Sequence, residues 1–511
     1  MSRMKIGWSK REISIDEPVV IPGQMYLRIS EGIHDPLYVT ALCVDGGKGM
    51  DQVIFLSCDI ATIWGNMLAP IQEAVAAKNP QIPTDAIIVN ATHTHSGTPI
   101  GGSMEVTPDG MPIFSGDRYK VFFVQMCAEA ICEAWEKREE GGMGYGYGYA
   151  VVAHSRRVVY FEKEKMARNE TLPRDFMTPR GYAAMYGNTN DPLFSHYEAG
   201  DDHFLNLMFT FDKENKLTGI VVNVPCPSQL AEHFTKLSAD YWNEVRQLVA
   251  KEFGEDVYIL PQCAAAGDLS PRVLHYREAQ ERRMALKYDM PYKYKEAKAG
   301  TVDAYNKTMT ERYDIAERIM AGIKDVFSWA KKDIYTEVPV RHVYKVMALH
   351  RRPITDDEKA WCEENLELLK DMEPKKEEMS PEEYRKEISV YNNKVSRNKY
   401  GIERYYDVKE NPTLDMGCHI VQIGDIGFST MRFELYHDFM HRLQARSPFV
   451  QTFVVQLCGA EGGNYLSTHR GSNARGYSAS MFCNMVSADG GQQWVEESLA
   501  VMNEMKAKDE A

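Results

Sequence analysis

Gln52-Val53-Ile54-Phe55-Leu56-Ser57, a helix-like stretch near Met67 to Ala77, and Ala86-Ile87-Ile88-Val89-Asn90 follow one another along the chain. The two outer runs are short, β-branched and mostly apolar, as strands buried on both faces are. The stretch between them has helical character and ends before Pro80. Strand, helix, strand is the order of an α/β layer. Working outward, Gly144 to Tyr149 alternates glycine with tyrosine, which suits a strand with one crowded face. Leu217 to Val224 and Val257 to Leu260 add further strands, and no repeat of solenoid or propeller period is present. The expected fold class is α/β, with layered mixed β-sheets flanked by helices.

The texture changes twice. Residues 1–272 alternate β-rich runs with Gly/Pro loops, 273–411 are charged and helical, and 412–511 return to strands and loops. In the middle part Ile315, Ile319, Ile323 and Phe327 make one apolar stripe at helical spacing. Ser380-Pro381-Glu382-Glu383 reads as a capping box with proline at the first helical position. This part is expected to be a helical insertion with a solvated charged face, placed as a lid or wall over a site carried by the two flanking α/β parts.

Composition narrows the partners. The chain has 511 residues, 44% hydrophobic and 26% charged, with a formal net charge of -14. That balance is globular. It argues against nucleic acid or an anionic membrane as the main partner, while leaving room for a local basic pocket. No run approaches the length of a membrane span. No apolar segment follows the basic residues of Met1 to Lys10, so a cytoplasmic location is expected. The ten cysteines are scattered, lie in apolar runs and form no CxxC pair, so they read as buried free thiols.

Four polar loops, three of them with glycine, each follow an apolar strand or hairpin, where layered α/β folds gather their sites. The first is Asn90-Ala91-Thr92-His93-Thr94-His95-Ser96-Gly97, whose His-x-His spacing puts two imidazoles on one face. Two neutral imidazoles suit zinc; the bland alternative is a hydrogen-bonded pair of loop histidines. The second is Gln262 to Pro271, in which Asp268 could orient a ligand or bind a metal and Ser270 could donate to an oxyanion, unless the segment is an ordinary Asx or Ser-Pro turn. The third, Met431 to Tyr436, places Glu434 after a hairpin and in a first helical turn, where a carboxylate is favoured in any case. The fourth, Cys458 to Tyr465 with Tyr477 beyond it, is glycine-rich, charged and aromatic, although either tyrosine has simple packing as its alternative.

In that order these segments resemble the catalytic domain of the neutral/alkaline ceramidase family. The resemblance covers most of the chain outside the helical part, and His-Thr-His-Ser-Gly with Gly-Asp-Leu-Ser-Pro carries it best. It implies one zinc ion held by two histidines, a glutamate and a tyrosine. Carried over, His93, Glu434 and Tyr465 are ligands, while His95 and Tyr477, the latter twelve residues past Tyr465, stabilise the oxyanion. Ser270 becomes a donor in the site wall, and the family's arginine corresponds to Arg156 or Arg157. Cys226 stands where the second histidine ligand is expected. A thiolate binds zinc well but weakens it as a Lewis acid. His233 or His203 are the alternative sources of a nitrogen, with Asp268 and Gln229 as supporting groups; loss of the metal is the third possibility. The implied activity is hydrolysis of an amide or related bond in a small, soluble, polar substrate rather than ceramide. A glycosidase, suggested by Tyr465 and Glu461, and a non-catalytic binding protein are the competing readings. Oligomeric state stays open.

Overall fold

The computed structural model describes residues 3–63, 67–290, 302–459 and 464–509. An eight-stranded mixed sheet runs in the spatial order Tyr258–Cys263, Leu217–Val224, Phe204–Asp212, Glu139–Tyr149, Lys5–Glu12, Tyr38–Asp45, Gln52–Cys58, Ile87–Ala91. A four-stranded sheet holds Val340–His350, Thr413–Ile423, Ile426–Thr430 and Gln451–Val455. Helices Leu68–Lys78, Gly116–Glu136, Tyr241–Phe253 and Val302–Ala330 pack on the large sheet, and His437–Arg446 and Ala488–Ala507 on the small one. The result is four layers, helix, sheet, sheet, helix, the layered mixed architecture expected from the sequence.

The uninterrupted apolar runs follow from this layering. In Gln52–Cys58, Ile54, Leu56 and Cys58 pack toward the helices, while Val53 and Phe55 pack toward the other sheet. Trp8, Phe55, Met208 and Val221 of the large sheet meet Val421, Phe428 and Phe453 of the small one, with the Phe55 and Phe428 rings 5.1 Å apart. Each such side chain contributes about 1.5–3 kcal/mol on burial. The crowded face foreseen for the Gly/Tyr strand is there too. A Cβ on Gly146 would lie 2.1 Å from Trp329 Cη2, so only glycine lets Val302–Ala330 approach.

Residues 273–411 differ from a purely helical segment. They contain Val340–His350, an 11-residue strand paired along its whole length with Thr413–Ile423. Its face is only half buried, so the polar alternation Arg341-His342-Val343-Tyr344-Lys345 hides it among charged residues. The stripe Ile315, Ile319 and Ile323 is buried on the large sheet. The capping box at Ser380 is formed with Glu383, opening the helix Pro381–Glu410.

Among the described residues four strand pairs are parallel: Gln52–Cys58 with Ile87–Ala91, Leu217–Val224 with Tyr258–Cys263, Ile426–Thr430 with Gln451–Val455, and the short pair Glu434–Leu435 with Tyr465–Leu466. Parallel strands release their C-terminal loops on one side. Here cross-links bring those ends together. Asn90 Nδ2 donates to the Pro261 carbonyl at 3.1 Å, Gln456 N to Cys263 O at 3.0 Å, and Ala91 N to Leu457 O at 3.1 Å.

Candidate functional site

After Ala91 the chain enters a left-handed turn at His93, φ 62°. This turn brings Nδ1 2.6 Å from the Ala61 carbonyl, which accepts its proton and leaves Nε2 facing inward. His95 Nε2 lies 3.4 Å from His93 Nε2, with the rings edge to face at 4.8 Å. Burial, and then His93, push the His95 pKa well below that of a free imidazole, so the ring is neutral. Glu232 stands 3.6 Å from His95 Nδ1, and the Arg28 guanidinium donates to the His95 carbonyl at 2.5 Å.

Glu434 is not in a helical turn. It lies in the short strand Glu434–Leu435, paired in register with Tyr465–Leu466, and the helix begins at His437. Pairing places Glu434 and Tyr465 side by side. Glu434 Oε2 is 3.3 Å from His93 Nε2 and 3.3 Å from Arg156 Nη2, and Arg156 Nη2 is 3.5 Å from the Tyr465 hydroxyl. Burial works against the Glu434 carboxylate, but the His93 imidazole and then Arg156 hold its pKa down at about 2. Burial and the Glu434 charge push the Tyr465 phenol well up. Gly267 closes the floor: its carbonyl accepts from Arg156 Nη2 at 2.9 Å, and a Cβ there would lie 2.4 Å from the Glu434 carbonyl oxygen.

Of the two adjacent arginines, Arg156 enters the cluster. Arg157, the first residue of the strand Arg157–Tyr160, turns away to pair with Glu198, Nε to Oε2 2.7 Å. Arg156 Nη1 also donates to the Tyr186 hydroxyl at 3.1 Å and to Gln229 Oε1 at 3.4 Å. Gln229 Nε2 donates to the Tyr186 hydroxyl and reaches Ser270 Oγ at 3.5 Å, so Ser270 lines the wall through Gln229. Tyr477 stacks edge to face on Tyr465 at 6.0 Å, and burial raises its phenol pKa. Tyr186, Glu232, Arg28 and Arg397 were not foreseen. Only the left-handed φ of Tyr186 marks it, and that is invisible in sequence.

Three expected groups stand elsewhere. The Cys226 thiol donates to the Val152 carbonyl at 3.3 Å and is packed in the apolar core, where burial and Cys263 raise its pKa well above the ordinary thiol value. An apolar, carbonyl-bonded thiol is a poor source of thiolate. His203 pairs with Asp201 at 4.0 Å beside His154. Half-exposed His233 lines a cavity of about 440 Å³ with Tyr186 and Arg272. Glu461 lies outside the described residues.

Two donors on one tetrahedral zinc, each about 2.1 Å from it, lie about 3.4 Å apart. The His93–Glu434 separation of 3.3 Å is close to that edge. The Ala61 carbonyl on His93 Nδ1 is the outer partner that fixes a ligand tautomer. Among the described residues no three His, Cys, Asp or Glu side chains form a metal-holding group. The residues at this place offer one imidazole and one carboxylate at that spacing, with Tyr465 paired beside Glu434.

Asp268 supports the site without entering it. It accepts from the backbone N–H of His437 at 3.0 Å, and its Oδ1 forms an ion pair with His437 Nδ1 at 3.0 Å. The Asp268 carbonyl also accepts from Arg156 N at 3.0 Å. Burial opposes charge on His437, but Asp268 raises its pKa to about 9. The charged imidazole therefore stabilises the fold fully below its unfolded value of 6.5, and that contribution fades as pH rises toward 9. It amounts to about 3 kcal/mol. Urea unfolding at pH 6 and above pH 9 is expected to show this loss in the wild type and not in His437→Gln; equal slopes in the two proteins count against it.

No family model and no curated protein matches the chain. Solved structures do. A neutral ceramidase from Pseudomonas aeruginosa superimposes with a TM-score of 0.62 at 14% identity, over 98% of this chain and 75% of that one. A ceramidase complexed with C2 superimposes with a TM-score of 0.60 at 12% identity, over 98% and 76%. Among the described residues no helix is long and apolar enough to cross a membrane. At such identities the likeness concerns architecture, and the chain has a neutral ceramidase-like fold.

Proposed function

We propose that the protein is a zinc-dependent hydrolase of an amide bond in a soluble, polar substrate. One observation carries this reading: His93 Nε2 lies within 3.4 Å of both Glu434 Oε2 and His95 Nε2 in a buried cluster backed by Arg156 and Tyr465. His93, Glu434 and Tyr465 would hold the zinc, which would supply Lewis acidity for polarising a carbonyl and lowering the pKa of water. The chain's own groups do the rest. Neutral His95 and the protonated phenol of Tyr477 are donors for the oxyanion formed when water adds to the amide carbon, an effect of about 3–4 kcal/mol per donor. Glu434, held ionised, is a ligand and the counter-charge of Arg156. Arg156, locked by Tyr186, Gln229 and the Gly267 carbonyl, keeps the carboxylate in place. Tyr186, which accepts from Arg156, also lines the cavity beside Arg272, which is large enough for a small polar group.

The test is a panel of N-acyl and glycosyl substrates on zinc-loaded and metal-stripped protein. Amide hydrolysis that falls at least about a hundredfold on stripping and returns with zinc is the expected result. Undiminished amide turnover without metal removes the zinc assignment; cleavage of glycosides alone removes the amide assignment.

A further inference from the structure

Arg397 is a part-buried cation that meets two sulfur atoms and the Tyr477 side chain, with no carboxylate partner among the described residues. The helix Pro381–Glu410 carries it between two segments that frame the proposed reacting centre. On one side is the loop at residues 22–27, in which a Cβ on Gly23 would lie 2.9 Å from His95 Cγ. On the other are Tyr477 and Cys483, and the Cys483 carbonyl accepts from Tyr465 N at 2.6 Å. Arg397 Nη1 lies 3.4 Å from Met25 Sδ and Nη2 lies 3.2 Å from Cys483 Sγ. Its Nε is buried with no hydrogen-bond partner. The guanidinium stands 5.3 Å from the Tyr477 ring centroid.

Sulfur atoms are weak acceptors. Five buried arginines are better served: Arg156, Arg157 and Arg312 have carboxylates, and Arg28 and Arg404 are held by backbone carbonyls. Among the described residues Arg397 has neither. A buried cation left so is costly unless a ligand completes it. Its planar fork is built for two oxygens of one carboxylate. The chain as a whole is strongly acidic, so an anionic substrate needs a local cation of this kind.

Building on the reading of the His93–Glu434 cluster as the reacting centre, we propose that Arg397 binds a carboxylate of the substrate, so that the amide cleaved is one whose amine portion carries that carboxylate, as in an N-acyl amino acid. The balance is simple: water adds to the acyl carbon, the C–N bond breaks, the acid is released, and the nitrogen leaves as an amino acid after taking up a proton.

N-Acylglycines, acetyl to lauroyl, and the matching N-acylglycinamides differ only in this charge. Equilibrium binding and turnover of both series are measured for wild type, Arg397→Gln and Arg397→Lys, with circular dichroism and thermal melting as folding controls. Wild type is expected to bind the glycines at least about tenfold more tightly than the amides, with that ratio falling to about one in Arg397→Gln and partly kept in Arg397→Lys. A wild-type ratio near one, or an undiminished ratio in a folded Arg397→Gln, overturns the proposal. Arg397-dependent binding of free acyl acids with a ratio near one assigns the guanidinium to the product instead and also overturns it. Because binding is read without turnover, an intact Arg397-dependent ratio without hydrolysis sinks the hydrolase reading and leaves the carboxylate site standing.

Discussion

On the proposed zinc-hydrolase reading, His93→Ala is expected to bind no zinc and to lose about a thousandfold in amide hydrolysis, equivalent to about 4 kcal/mol of transition-state stabilisation. His93 touches both Glu434 and His95, and its Nδ1 is held by the Ala61 carbonyl. The substitution has a second cost. At φ 62° alanine is strained by roughly 1–2 kcal/mol, whereas asparagine tolerates the left-handed region. His93→Asn therefore separates loss of the ligand from strain in the turn. Zinc content by atomic absorption and kcat/KM are the readouts. Full zinc occupancy in a folded His93→Asn would remove His93 from the ligand set.

Glu434→Gln is expected to reduce stability as well as activity. Glu434 and Arg156 are both buried, and removing one member of such a pair costs about 3–5 kcal/mol because the other charge is left uncompensated. Replacing both, as Glu434→Gln with Arg156→Met, is expected to recover much of the stability and none of the activity, since the carboxylate ligand is still missing. Chemical denaturation of the two single variants and the double variant measures the coupling. Additive destabilisation would mean that Arg156 and Glu434 do not depend on each other, and the cluster would lose its internal support.

How much of this was legible beforehand depended on the range of each interaction. Apolar β-branched runs announce strands buried on both faces, so Gln52–Cys58, Ile87–Ala91 and Leu217–Val224 stand within a residue or so of their expected bounds. The tyrosine-glycine alternation foretold a face that only glycine permits, because the side-chain period of a strand is a local property. Val340–His350 was hidden for the same reason in reverse: a half-exposed strand in a charged neighbourhood shows no apolar signal. At the site, the His-x-His spacing, the late glutamate and the tyrosine pair were visible as residue types in loops after strands.

The sequence by itself determined which chemical groups the protein owns and the short-range elements that carry them, because periodicity, capping and turn chemistry act over a few residues. The tertiary structure alone decided which of those groups meet. Arg156 reaches Glu434 across 278 residues and Tyr465 across 309, Cys226 turns to a core carbonyl instead of joining them, and Arg397 arrives on a helix from the charged middle of the chain. Such meetings are set by strand order, parallel pairing and the stacking of two sheets, none of which leaves a local trace.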